Sequence, residues 1–216
     1  MSIPTIDGPR QPAASGATKQ LVIFVHGYGA DGKDLIGLAP YFAQKLPNAA
    51  FVAPNGPQRC DMSPMGYQWF AISQSDVSSR LKGVLEAAPI LNQFIDQELE
   101  SHGLTEENLL LVGFSQGTMM SLHVGLRRDR QVAGILGYSG LLAGPELLTD
   151  EVKSEPPVLM IHGDKDEMLP VQHLHDAVQA LGGAGLNVEW HVSQGAGHTI
   201  AQDGLELGMQ FVQRIF

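Results

Sequence analysis

Leu109-Leu110-Leu111-Val112-Gly113-Phe114-Ser115-Gln116-Gly117 is the stretch that decides how this chain folds. An apolar run of strand character drives into a G-x-S-x-G pattern. A helix-like run, Thr118 to Arg128, follows at once. Strand, sharp turn and helix in immediate succession give the pattern its meaning. The turn is tight enough that a Cβ at either glycine would press on neighbouring backbone. Ser115 is then expected at the tip, strained and with its hydroxyl exposed. The helix N-terminus behind it offers free N–H groups to developing negative charge.

Outward from that turn, short apolar runs alternate with helical spacing. Strands are expected at Leu21–Val25, Ala50–Ala53, Leu109–Val112, Ala133–Gly137, Val158–Ile161 and Val188–Val192. Helices are expected at Asp34–Leu46, Val77–His102 (with a kink at Pro89), Val171–Leu181 and Ala201–Arg214. The alternation predicts an α/β fold: a mostly parallel central sheet with helices on both faces. In such sheets the chemistry gathers at the carboxyl ends of the strands.

Bulk composition narrows the classes. A chain of 216 residues buries roughly 70% of its unfolded surface in one core. Met1 to Gln20 is polar and rich in Pro, Gly and Ala, without the apolar stretch of a secretion signal. It reads as a flexible arm (1–20) before a single domain (21–216). Thirteen basic against 23 acidic residues, a net charge of −10, argue against nucleic acid or an anionic membrane as partner. No apolar run reaches the length of a membrane span. The single cysteine, Cys60, cannot form an internal disulfide, so a cytoplasmic location is the default.

A serine hydroxyl needs a base, and the base needs an acid to fix its tautomer. Downstream of Val158–Ile161 stand two aspartates, Asp164 and Asp166. Asp164, nearer the strand, suits a turn or cap; Asp166, deeper in the loop before Pro170, suits the acid. After Val188–Val192 comes Gly195-Ala196-Gly197-His198, a glycine-rich loop that places His198 as the base. The order serine, acid, histidine is the one expected with this elbow. Among the other histidines, His26 is expected to order its glycine-rich loop and His162 to brace the acid loop. None has the spacing of a zinc site. An oxyanion hole requires two backbone N–H groups. Gln116 supplies one, and the loop His26-Gly27-Tyr28-Gly29 supplies the other, from Tyr28 or else Gly27. That loop lacks the spacing of a phosphate-binding loop.

With these residues in view, the chain from about Leu21 to Phe216 resembles the phospholipase/carboxylesterase family of α/β-hydrolases, which includes acyl-protein thioesterases. Five segments carry the likeness: His26-Gly27-Tyr28-Gly29, Gly113-Phe114-Ser115-Gln116-Gly117, Tyr138-Ser139-Gly140, His162-Gly163-Asp164-x-Asp166 with Pro170, and Gly197-His198. The resemblance implies an α/β-hydrolase fold without a large lid domain. It implies Ser115, Asp166 and His198 as catalytic residues and the backbones of Tyr28 and Gln116 as the oxyanion hole. It implies cofactor-free, metal-free cleavage of carboxylic esters or thioesters. Family members often carry Leu where this chain has Tyr28, and an acid where it has Ala71.

The segment Asn55–Ser75 is long and holds Met62, Met65, Tyr67, Trp69 and Phe70. Long structured loops near strand ends are often functional, and Met and aromatic side chains make an adaptable apolar surface. Met65, Trp69 and Phe70, with Leu141 and Met168, are therefore expected to form an acyl-chain pocket. The alternative is that they cover the core. The expected partner is a small or lipid-like neutral acyl ester or thioester, an acylated protein included, with the enzyme a monomer or weak homodimer. A non-catalytic ligand-binding module on the same scaffold is the rival from another class.

Overall fold

The computed structural model describes residues 3–72 and 78–216. Its strands and helices, in chain order, are β1 (Arg10–Gln11), β2 (Gln20–Val25), α1 (Gly32–Ile36), α2 (Ala39–Ala43), β3 (Ala49–Val52), β4 (Gln58–Cys60), β5 (Ser63–Gln68), α3 (Ser78–His102), β6 (Leu109–Phe114), α4 (Gln116–Gly125), β7 (Gly134–Tyr138), α5 (Leu148–Glu151), β8 (Val158–Gly163), α6 (Gln172–Gly183), β9 (Val188–Ser193) and α7 (Gln202–Ile215). Seven strands form one sheet in the order β1-β3-β2-β6-β7-β8-β9. Every pairing in it is parallel except that of β1 with β3.

The two-residue period of a strand explains how this sheet is buried on both sides. In β2, Leu21, Ile23 and Val25 face one core cluster, while Val22 and Phe24 face the other; all are fully buried. Leu109 and Leu111 of β6 join the first cluster, and Leu110 and Val112 the second. The first core is closed by residues of α3, α4 and α6, such as Leu91, Met120 and Leu174. The second is closed by α1, α2 and α7, through Leu35, Phe42 and Phe211. Phe24 stands at its centre, edge-on to Phe42 and stacked on Phe51.

Each expected strand is present, most with ends shifted by a residue or two. The helix expected over Asp34–Leu46 is two short helices instead. Gly37 ends α1 and Pro40 opens α2, so one continuous turn pattern cannot run through both. Helix α3 continues through Pro89. Val77, the expected start of that helix, lies outside the described residues.

The arm expected to be loose over 1–20 is a correction. Pairing of β1 adds an antiparallel strand to β3, with Arg10 opposite Val52. Ala53 N–H donates to Pro9 O at 3.1 Å and Asn55 N–H to Asp7 O at 3.0 Å. Arg10 also reaches the Glu98 carboxylate on α3. Polar composition hid this docking because backbone groups make most of it. The hairpin of β4 and β5 was likewise not expected as strands.

Candidate active site

Ser115 sits between β6 and α4 with φ 55° and ψ −115°, and it is largely buried at the tip, 9% exposed, where the sequence suggested an open hydroxyl. A non-glycine residue with positive φ is strained, and such strain concentrates at functional turns. The two motif glycines explain how the turn closes. A Cβ on Gly113 would lie 2.5 Å from Gly117 O, and one on Gly117 would collide with Val25 O. The Ser115 N–H donates to Tyr138 O at 2.8 Å, fastening the turn to the end of β7.

Three loops, each following its own strand, bring the expected side chains together. His198 Nε2 lies 3.0 Å from Ser115 Oγ, and His198 Nδ1 lies 2.7 Å from Asp166 Oδ2. With Nδ1 facing a carboxylate, that nitrogen carries the proton. Nε2 is left free to accept from the hydroxyl. Asp166 has a fully enclosed side chain, and its Oδ1 accepts the Met168 and Leu169 N–H groups at 2.9 and 2.8 Å. Asp164 does not reach His198. Its Oδ1 takes the Gly195 N–H and so ties the acid loop to the histidine loop. The His198 ring leans on Phe114, centroids 5.0 Å apart. Ser139, also at positive φ (45°), donates from Oγ to Thr199 O at 3.3 Å, one residue past His198.

The loop after β2 lies against Ser115. A Cβ on Gly27 would sit 3.2 Å from Ser115 Cβ. His26, fully buried, accepts Gly56 N–H on Nε2 at 2.8 Å. Its proton is therefore on Nδ1, which donates to Gly27 O at 2.7 Å. Burial pushes the His26 pKa below its ordinary value, so the ring bridges these two loops as a neutral group. Tyr28, next along, has its phenol pushed up to about 12 by burial and by the neighbouring Cys60. The β4–β5 hairpin is stitched onto this loop: Gly29 N–H donates to Tyr67 O, and Tyr67 N–H to Ala30 O.

The expected pocket residues divide. Trp69, Phe70 and Leu141 are buried in the first core, so their place as an open groove wall is corrected. Trp69 Nε1 donates to His26 O at 3.1 Å, and Phe70 packs on the bare face of Gly83. Met65 and Met168 are exposed, at 83% and 72%. Positions 73–75 of the expected substrate loop lie outside the described residues. One contact of the candidate site was not expected from the sequence. The Gln116 carboxamide accepts Trp69 N–H on Oε1 and donates from Nε2 to Phe70 O, both at 2.8 Å. A buried Gln beside a nucleophile was the available signal, since buried amides need partners. Among the described residues, no three His, Cys, Asp or Glu side chains gather as metal ligands, and no helix is long and apolar enough to cross a membrane.

The family model for Phospholipase/Carboxylesterase matches residues 8–215. Acyl-protein thioesterase 1 of Gibberella zeae is 33% identical over 94% of this chain and 93% of its own length. A probable carboxylesterase of Oryza sativa subsp. japonica is 30% identical over 89% of this chain and 76% of its own. The solved structure of esterase PE8 superposes with a TM-score of 0.95 at 44% identity, covering 98% of this chain and all of that one. The fold is that of an α/β-hydrolase, with no large lid domain among the described residues. The chain belongs to the phospholipase/carboxylesterase family and is a carboxylic ester hydrolase.

Proposed function

We propose that this chain is a serine esterase or thioesterase that cleaves neutral acyl esters through Ser115, His198 and Asp166. The observation that carries the reading is the unbroken relay from Ser115 Oγ to His198 Nε2 and from His198 Nδ1 to Asp166 Oδ2, at 3.0 and 2.7 Å. Ser115 Oγ attacks the acyl carbonyl as its proton passes to His198 Nε2. The Asp166 carboxylate balances the imidazolium that forms. The tetrahedral oxygen takes the N–H groups of Gln116, at the start of α4, and of Tyr28, beside Gly27. His198 then returns the proton to the departing alcohol or thiol. Water attacks the acyl-enzyme by the same route in reverse roles.

The exposed Met65 and Met168 favour an apolar acyl group over a charged one. Relatives named as thioesterases and as carboxylesterases support either an oxygen or a sulfur leaving group. An acylated protein, a lysophospholipid and a small ester all carry that acyl chemistry. We place the enzyme in the cytoplasm, as a monomer or weak homodimer. A binding module without turnover would have no use for a strained serine aimed at an imidazole. Labelling with a fluorophosphonate tests the reading. Ser115 is expected to be modified and turnover of a p-nitrophenyl acyl ester to stop in step. An unlabelled Ser115, or a Ser115→Ala protein with full turnover, overturns it.

A further inference from the structure

His162 is the penultimate residue of β8, four residues before Asp166, and its side chain is fully enclosed. Its Nε2 lies 2.7 Å from Leu169 O and 3.2 Å from Asp166 Oδ2. Both neighbours are acceptors, so Nε2 carries the proton and shares it between them. Its Nδ1 is buried without a hydrogen-bond partner among the described residues. A second proton there would be an unpaired cationic N–H in the interior, which is costly. Burial accordingly holds the ring's pKa below its ordinary value. The ring is a neutral, single-tautomer donor.

Four N–H groups therefore surround Asp166. Oδ1 accepts those of Met168 and Leu169, Oδ2 accepts that of His198 Nδ1, and His162 Nε2 stands beside Oδ2 at 3.2 Å in close electrostatic contact. Leu169 closes the frame, donating its N–H to Asp166 and accepting from His162 on its carbonyl. Rotation of the carboxylate would break contacts on both oxygens at once. We propose that His162 is a positioning residue for the reaction: its fixed Nε2–H holds Asp166 Oδ2 in line with His198 Nδ1 while His198 takes up the serine proton. This inference rests on the triad reading above. The polar contacts of His162 are with Leu169 and Asp166, and it is Asp166 that joins it to His198, so its effect is expected on turnover rather than on substrate binding.

His162→Leu removes the donor, and His162→Gln offers an amide N–H toward the same oxygen. A hydrogen bond to a charged group supports a change of roughly tenfold or more. The Leu protein is expected to lose about that factor in kcat with KM held within about twofold, and the Gln protein to recover most of it. In the wild-type protein, 15N NMR of the imidazoles is expected to show His162 as the Nε2–H tautomer at neutral pH. Full kcat in the Leu protein overturns the proposal, as does equal loss in both variants or an Nδ1–H tautomer. If the Leu protein does not fold, the tautomer and the Gln protein's kcat decide. Fluorophosphonate labelling of wild-type Ser115 separates the two readings: no labelling defeats the triad, whereas normal labelling with an indifferent His162 defeats only this inference.

Discussion

Gln116 and Trp69 are joined by a buried hydrogen bond of 2.8 Å, from the Trp69 N–H to the Gln116 carboxamide oxygen. The residue directly after Ser115 thus grips the segment that follows β5, and its Nε2 holds the next carbonyl, Phe70 O. Gln116→Ala leaves two backbone groups unpaired in the interior, each worth about 1–3 kcal/mol. The expected outcome is a stability loss of roughly 2–6 kcal/mol, together with a lower kcat because the first N–H of α4 loses its support. Urea unfolding and steady-state kinetics on the same preparation check both parts.

Strain at Ser115 predicts an inversion between two inactive variants. Ser115→Gly and Ser115→Ala both lose the hydroxyl, and turnover is expected to fall by as much as a millionfold in each. The glycine relaxes at φ 55°, whereas alanine keeps the Cβ. The Gly protein should therefore be the more stable, by about 1 kcal/mol. Equal melting temperatures would mean that the elbow stores no strain.

Acid should weaken the fold through its buried histidines. His26, His123 and His162 all have pKa values pushed below the ordinary 6.5 by burial, His123 to about 4. The unfolded chain then takes up protons before the folded one as pH falls. Their contribution is complete above about pH 6.5 and is lost on the way down, through about 4 for His123. Urea midpoints are expected to drop steadily between pH 7 and pH 4.5. His123→Phe, which removes one of these rings, should flatten the slope; an unchanged slope would exclude His123 as a source.

Met65 and Met168 offer a test of the acyl preference. Replacing either with Ser removes apolar contact from a long chain but leaves the reacting atoms alone. KM for a long-chain ester should rise roughly three- to tenfold, the worth of one or two methylenes. The acetyl ester should be unaffected. A uniform change across chain lengths would place the groove elsewhere.

Much of this molecule was legible in the sequence because two strong periodicities and one steric motif coincide. The elbow follows from Gly113 and Gly117, whose absent side chains the turn requires. The order of Ser115, Asp166 and His198 follows from strand-then-loop spacing. Asp164 reads as a local turn or cap residue, whereas its Oδ1 proves to accept the N–H of Gly195 from another loop. What escaped was non-local. Docking of β1 on β3 uses backbone groups and a long-range pair between Arg10 and Glu98. Trp69 and Phe70 read as substrate surface because their burial depends on Gly83 and Gln116, both distant in the chain. The break between α1 and α2 was hidden because apolar spacing continues across Gly37 and Pro40.

Serine, acid and imidazole each hang from the terminus of a different parallel strand, and Ser139 at the end of β7 ties the imidazole's loop to the strand between them. On the proposed mechanism, the hydrogen-bonded ladder beneath works as a rigid jig for the reacting atoms. The same reading leaves the surrounding segments, including the methionine-bearing hairpin, free to differ without re-aligning Ser115, His198 and Asp166.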